Sequence, residues 1–407
     1  MKYVMIIGDG MADMPIAEIG NKTPLEYLAP RSFAEIASGK LGRLRSCPPE
    51  FSPGSDVAFL TLLGNDTSKV FTGRSPLEAA GMGVKLKKGE VCFRLNLAAV
   101  SEEGFPGGIM LSHNGGGIEG DEAFGIITSL INDGGFSQVM KKYGLVVYPT
   151  NTFRHAAVLV CDDAGFILAP PHDIVGRRIE DFLPDGTMKQ AIFEIEKASF
   201  ESLNHHPINE SRRKRGLLPA NCAWLWGAGT VCTLENFADK YAVKGLVISA
   251  VPLVKGIARL GGLDAPDYPW ATGLLDTDYE KKAQTAIEGL KNGYDFALIH
   301  LEAPDEMSHD GSLENKLESI RRLDERIVGP VLDELKALGD HRVLLMPDHY
   351  TLLSTRTHDA TPVPFALYDS REGKNAQSRP FTEKACENEK VLETGDELMR
   401  LFFEKGG

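Results

Sequence analysis

Three stretches of this chain end apolar runs in groups that grip hard cations. In EAPDEMSHDG, Asp305 and His309 stand four residues apart. If Ala303 onward turns into a helix, both side chains share one face and can hold one ion; an exposed surface pair satisfies the same spacing. In PDHYTLLSTRTHDATPVP, Asp348 and His349 are adjacent, and His358 follows across a Ser/Thr-rich loop. Adjacent residues on a strand face opposite ways, whereas a turn at a strand-to-loop break can aim both at one cation. His358 and Asp359 also read as a hydrogen-bonded loop pair. The opening YVMIIGDG delivers Asp9, and FSPGSDVAFLTLLG sets Ser55 just ahead of an apolar, helix-compatible run. A helix starting there makes an anion site at Ser55, because free N–H groups and the positive dipole end favour a phosphoryl group and an ionised hydroxyl. The plain alternative is Ser55 as an N-cap. No convincing base accompanies Ser55 in the sequence, and metal coordination is the activation that remains.

These residues need elements to aim them. YVMIIGDG, FALIHLEAPD (296–305) and RVLLMPDHY (342–350) each carry an acidic residue just past a short apolar run, the pattern of a buried parallel strand. Leu313, Leu317, Ile320, Leu323, Ile327, Val331, Leu335 and Leu338 recur at spacings of three and four, which predicts an amphipathic helix over 312–338. Strands alternating with such helices imply parallel βαβ units, whose ligands bind beyond the carboxyl ends of the strands. Residues 85–171 differ: they are rich in Gly and in short strand-like pieces such as VCFRLNLAAV, GLVVYP and AAVLVC. The expectation is a core of residues 1–84 and 172–407 with a smaller α+β domain, 85–171, inserted.

Composition narrows the partners. A formal net charge of -13 repels phosphate backbones and anionic lipid at long range, which argues against nucleic acid and membrane surfaces. No stretch reaches the roughly 18 apolar residues of a membrane span. The six cysteines form no C-x-x-C pair, and they read as free thiols of a cytoplasmic protein. Nothing in the sequence sets an oligomeric state.

Taken jointly, IIGDGMAD, PGSDVA, TGRSPLEAAG, FRLN, PPHDIVGRRIEDFLP, NCAWLWGAGT, SAVPLVKGIARLGG, ATGLLDTDY, HLEAPDEMSHDG and MPDHYTLLSTRTHDATPVPF resemble the alkaline-phosphatase superfamily. Within it they resemble the archaeal-type cofactor-independent phosphoglycerate mutases, nearly end to end. The resemblance implies an alkaline-phosphatase-like α/β core with a mostly parallel sheet flanked by helices, and two divalent ions. Asp305, His309 and His358 would hold one; Asp9, Ser55, Asp348 and His349 the other. The mixed oxygen and imidazole donors suit Mn2+ or Zn2+, and ions roughly 4 Å apart clamp both oxygens of an in-line displacement. The implied activity interconverts 2- and 3-phosphoglycerate: Ser55 takes the phosphoryl group from one hydroxyl and returns it to the other, without ATP or 2,3-bisphosphoglycerate. Arg74 in TGRSPLEA and Arg94 in FRLN match family positions and are candidates for the small phosphorylated substrate, or for structural ion pairs.

One segment departs from that pattern. Relatives carry an arginine-rich DRRAGR-type stretch after FR-N, whereas residues 110–123 read MLSHNGGGIEGDEA. His113 and Asn114 then remain as hydrogen-bonding candidates, suited to a less anionic molecule. The departure keeps open a rival within the family, a homoserine-kinase type of phosphotransfer making O-phosphohomoserine. It would need an outside donor, and no G-x-x-x-x-G-K-[ST] loop is present to hold a nucleotide. A non-catalytic metal-binding member is the third possibility, opposed by the intactness of all seven metal-site positions.

Overall fold

The computed structural model describes residues 1–161, 165–372 and 379–403. They form two compact units: Met1–Phe71, Ala80–Met82 and Thr233–Gly407 make one, and Thr72–Ala79 with Gly83–Cys232 make the other.

The first unit is built on a seven-stranded sheet in the order Gly245–Ile248, Phe296–Leu301, Lys2–Gly8, His341–Met346, Val363–Asp369, Lys40–Leu44, Val391–Leu392. Only Val363–Asp369 runs against the rest, so the expected mostly parallel sheet is present. Lys2–Gly8 lies between two parallel neighbours, with Val4 level with Ala297 on one side and Val343 on the other. Both of its faces are covered, which is why its run is apolar without alternation. Val4 and Ile6 join a buried cluster with Leu290, Ile320, Leu323, Ile327 and Val331, while Met5 and Ile7 are buried as well.

The helix expected over 312–338 is interrupted. Leu313–Leu323 is α-helical, Asp324–Val328 widens into a π-turn with the Gly329 N–H reaching back to the Asp324 carbonyl, and Gly329–Leu338 resumes the α-helix. Pro330 has no N–H to continue a regular ladder, and the bulge frees Asp324 for another task. Its carboxylate accepts from the backbone N–H groups of Arg31, Ser32 and Phe33 at 2.8–3.2 Å. Those donors open helix Arg31–Ala37, whose own N-cap, Pro30, has no side-chain acceptor.

The second unit is an α+β arrangement around antiparallel strands Glu90–Val100, Arg154–Val160, Val146–Tyr148 and Cys222–Thr230. It corrects the expected boundaries of 85–171. The chain does not leave at Pro170-Pro171: it adds helices Lys189–Leu203 and Pro207–Lys214 and returns to the sheet, where Ala98 pairs Cys222 and Val91 pairs Thr230. Residues 72–79 belong there too, tied by the Thr72 hydroxyl to the Thr230 carbonyl at 2.7 Å. All six cysteines are free of disulfides. Among the described residues, no helix is long and apolar enough to cross a membrane.

Asp324→Ala is expected to lower stability by about 2 kcal/mol, as for loss of a good helix cap. Urea denaturation followed by circular dichroism checks it; an unchanged midpoint would show that these three N–H groups find other acceptors.

Candidate active site

Strands Phe296–Leu301, Lys2–Gly8 and His341–Met346 are adjacent and parallel, so their carboxyl ends open on one place, the usual ligand crevice of such sheets. Asp9 follows the first residue run directly. Glu302 leads into helix Ala303–His309, which places Asp305 and His309 one turn apart. Asp348 and His349 occupy the break between strand His341–Met346 and hairpin Tyr350–Leu352/Thr357–Asp359, where Thr351 pairs His358. Gly10 makes the convergence possible. Its φ is +59°, and a Cβ there would lie 2.4 Å from the Thr351 hydroxyl and 2.8 Å from Asp305 Oδ1.

Six donors fall into two groups, Asp9 with Asp348 and His349, and Asp305 with His309 and His358; within each, ligand atoms lie within 4.8 Å of one another. The first group is buried throughout. Asp348 Oδ1 accepts from the N–H groups of Gly10 and His349, and Asp9 Oδ2 accepts from His300 Nε2 at 2.9 Å. Asp9 Oδ1 and Asp348 Oδ2 have no hydrogen-bond partner. Thr351 fixes what faces them. Its single hydroxyl proton goes to Asp305 Oδ1 at 2.6 Å, so at 3.1 Å it accepts from His349 Nδ1–H. His349 Nε2 is then a bare lone pair, 3.2 Å from Asp348 Oδ2 and 3.6 Å from Asp9 Oδ1. Three acceptors converge, and the two carboxylate oxygens among them have no donor, an arrangement that a cation completes and that is costly without one.

The second group repeats the pattern nearer the surface. His309 Nδ1 lies 2.9 Å from the Arg356 carbonyl and His358 Nδ1 3.2 Å from that of Pro53. Both Nδ1 atoms therefore donate, and the two Nε2 atoms meet at 3.0 Å beside Asp305. The Asp305 bond raises His309 to about 9. Burial opposes ionisation of Asp305, but bonding to His309 and His358 holds its carboxyl well below the usual range. Asp9 goes the other way, pushed well up by burial and then by the charges of Asp348 and Asp305. Both sets of residues fit a divalent cation.

Ser55 is the first residue of helix Ser55–Leu62, capped by Gly54, and its side chain makes no capping bond. The N-cap alternative is thereby replaced: Ser55 Oγ instead lies 3.2 Å from His349 Nε2, at the first group of donors.

The other candidates lie in the second unit. Arg94 and Arg74 both bind Glu78, Arg74 Nε at 2.9 Å and Arg94 Nε at 2.7 Å, and Arg94 also covers the Trp226 ring. Burial resists the charge on Glu78, yet Arg94 first and Arg74 next bring it down to about 2. Asn114 commits its side-chain oxygen to Ser112 Oγ and Gly117 N, closing the glycine turn. His113 stands edge-on to His172 with ring centroids 6.2 Å apart, and burial lowers its affinity for protons.

Four supporting residues escaped the sequence reading. His300 hands its Nε2–H to Asp9 while Nδ1 faces Ser249 Oγ at 2.9 Å; a histidine inside FALIHL was the visible signal. Thr351 was hidden in a Ser/Thr-rich loop. Lys316, fully buried, bonds Asp13 Oδ2 and the Thr351 carbonyl at 2.7 Å each. Its signal was a lysine three and four residues from Leu313 and Ile320 on the apolar stripe. Arg154, the fourth, acts on Glu78 beside Arg94; burial and then Arg94 lower it to about 10, and its Nε lacks a partner.

Comparison with known proteins sets this geometry in context. The model of the 2,3-bisphosphoglycerate-independent phosphoglycerate mutases matches residues 37–209. A probable enzyme of that name from Geobacter sulfurreducens is 38% identical, covering 100% of both chains. One from Methanothrix thermoacetophila is 40% identical over 99% of this chain and 100% of its own. Among solved structures, a protein of Pyrococcus horikoshii superposes with TM-score 0.79 at 28% identity, over 100% of this chain and 99% of that one. A cofactor-independent phosphoglycerate mutase of Thermoplasma acidophilum shares the fold, with TM-score 0.66 at 23% identity and full coverage of both chains.

Glu78→Ala leaves buried guanidinium groups without their carboxylate and is expected to destabilise by about 3–5 kcal/mol. Arg74→Ala, at a side chain 38% exposed, should cost about 1 kcal/mol or less. Parallel denaturant titrations decide; equal losses would contradict Glu78 as the hub of the cluster.

Proposed function

Because this chain belongs to the family of 2,3-bisphosphoglycerate-independent phosphoglycerate mutases, we propose that it interconverts 2-phosphoglycerate and 3-phosphoglycerate through phosphorylation of Ser55. The observation that carries the reading is the meeting of Ser55 Oγ with His349 Nε2, 3.2 Å away, beside two buried carboxylate oxygens that lack donors, Asp9 Oδ1 and Asp348 Oδ2.

Asp9, Asp348, His349 and Ser55 would hold one divalent ion, and Asp305, His309 and His358 the other. Bound there, Mn2+ or Zn2+ would make Ser55 acidic enough to ionise near neutral pH and neutralise charge on the transferring phosphoryl group. Ser55 Oγ attacks phosphorus in line; the bond to the substrate oxygen breaks, and its electron pair leaves with that oxygen. The proton given up by Ser55 balances the one gained by the leaving alkoxide. The product then presents its other hydroxyl, and the same steps in reverse free Ser55. Helix Ser55–Leu62 directs its free N–H groups toward the phosphoserine oxygens, a role suited to a helix N-terminus. Neither ATP nor 2,3-bisphosphoglycerate enters.

The missing arginines at 110–123 do not leave the second unit without cationic groups. Arg74, Arg94 and Arg154 gather there around Glu78, and guanidinium groups suit a carboxylate or phosphate. The relatives give no support to the homoserine-kinase alternative. The free thiols accord with a reducing cytoplasm.

Phosphorus NMR of the Mn2+-loaded enzyme given 3-phosphoglycerate alone should show 2-phosphoglycerate. A silent spectrum there, with O-phosphohomoserine formed from homoserine and a phosphoryl donor, would overturn the proposal. Ser55→Ala should lose turnover by on the order of 10^4-fold or more with an unchanged melting profile. His300→Phe keeps the edge contact with Phe59 but removes the donor to Asp9, and Mn2+ affinity measured by calorimetry should fall about 10–100-fold.

A further inference from the structure

The two groups of donors are joined by one hydroxyl. Thr351 Oγ1 gives its proton to Asp305 Oδ1 at 2.6 Å and receives that of His349 Nδ1 at 3.1 Å. Asp305 belongs to one group and His349 to the other, so a single side chain sets the orientation of a ligand in each. We infer that Thr351 is a positioning residue that couples the two cation sites, so that filling the Asp9–Asp348–His349 site favours filling of the Asp305–His309–His358 site. The inference rests on the two-cation reading of the donors and extends it.

The physical route is short. A cation on His349 Nε2 draws electron density from the ring, and Nδ1–H becomes a stronger donor to Thr351 Oγ1. A hydroxyl that accepts more strongly also donates more strongly, so the bond to Asp305 Oδ1 tightens. Asp305 is then held with Oδ2 toward His309, 3.2 Å away.

The surroundings keep the hydroxyl in place. Thr351 is fully buried, and its backbone N–H reaches the Ala12 carbonyl at 3.3 Å. Its carbonyl accepts from Lys316 Nζ at 2.7 Å, and Lys316 is anchored in turn on Asp13. Gly10 closes the remaining side, since any Cβ there would strike Oγ1 at 2.4 Å. Thus the hydroxyl cannot swing to another partner, and no water-sized space is needed to explain its bonds. Serine or threonine alone supplies a group that both accepts and donates at this point; valine fills the volume and does neither.

The test is calorimetric titration of the full chain, stripped with chelator, with Mn2+ alone, alongside metal analysis of the refilled protein. Wild type should take two ions. Thr351→Val should bind at the Asp305 site about tenfold or more weakly, and Thr351→Ser should stay within about threefold of wild type. Coupling is read from a double-mutant cycle. Asp9→Asn, which empties the first site, should weaken Mn2+ at the second by about fivefold when Thr351 is present and have no such effect in Thr351→Val. Direct repulsion between the ions is common to both backgrounds and cancels. Equal effects of Asp9→Asn in both would overturn the coupling, as would wild-type affinities in Thr351→Val. A wild type that binds no Mn2+ would instead remove the two-cation reading beneath it. Should Thr351→Val not fold, Thr351→Ser and Thr351→Ala differ only in the hydroxyl, and equal Mn2+ affinities in that pair overturn the inference.

Discussion

Three carboxylates, Asp9, Asp305 and Asp348, are crowded at the ends of adjacent parallel strands and all lie at or below 6% exposure. Burial and mutual repulsion both oppose ionisation in this cluster, and they drive Asp9 well above the ordinary carboxylate range. Such a cluster persists only where backbone, side chains and countercharge hold it against those forces. Much of the first unit is arranged to that end. Its central strands Lys2–Gly8, Phe296–Leu301 and His341–Met346 are buried on both faces almost throughout, which fixes the strand ends that carry the cluster. Asp9 and Asp348 lie just beyond strand ends, and Asp305 lies in helix Ala303–His309 that follows strand Phe296–Leu301, where a cation can reach them.

The supporting bonds form a sequence outward from the cluster. His300 and Ser249 orient Asp9; two backbone N–H groups orient Asp348; Thr351 orients Asp305 and His349 together. Behind Thr351 stands the buried pair of Lys316 and Asp13, and behind Asp13 stands Glu383, which accepts the Asp13 N–H at 3.2 Å and the Thr23 hydroxyl at 2.5 Å. A buried lysine bonded to both a carboxylate and a carbonyl is a rigid strut rather than a source of net stability. It joins helix Leu313–Leu323 to the hairpin that bears His358, so the helix packed beneath the sheet also determines where a ligand above it points.

Much of this was legible in the residues because the chemistry repeats a pattern that composition alone makes improbable. Three apolar runs ending in acid announced parallel strands with a shared end, and the i, i+4 spacing of Asp305 and His309 fitted either one face of a helix, which the structure has at Ala303–His309, or a surface pair. What stayed hidden depends on contacts between distant segments. Asp324 is absent from the apolar stripe that predicts the helix over 312–338, yet it caps Arg31–Ala37, and the π-turn around it lies just before Pro330. Leu317 fits the apolar spacing as well as Lys316 does, and only packing shows that Lys316 is the buried one. The insert was drawn too short because Pro170-Pro171 resembles an exit. The pairing of Cys222–Thr230 with Glu90–Val100 is non-local, and no local signal reports it.

The arginines obey a different logic from the metal-site residues, and this explains why they were harder to place. A metal ligand must keep both its type and its position, since the ion fixes distance and geometry. An anion held by guanidinium groups constrains only the sum of their positions, because each fork is long, planar and reachable from several backbone sites. Loss of arginine from 110–123 therefore need not empty the second unit of anion affinity. Arg154 illustrates the point: it comes from a strand edge far along the chain, yet it stands with Arg94 and acts on the same Glu78. Its Nε is buried without a partner, and burial first, then Arg94 beside it, lower its affinity for its own proton. A guanidinium held so close to another is unfavourable in the resting protein and becomes favourable when an anion arrives.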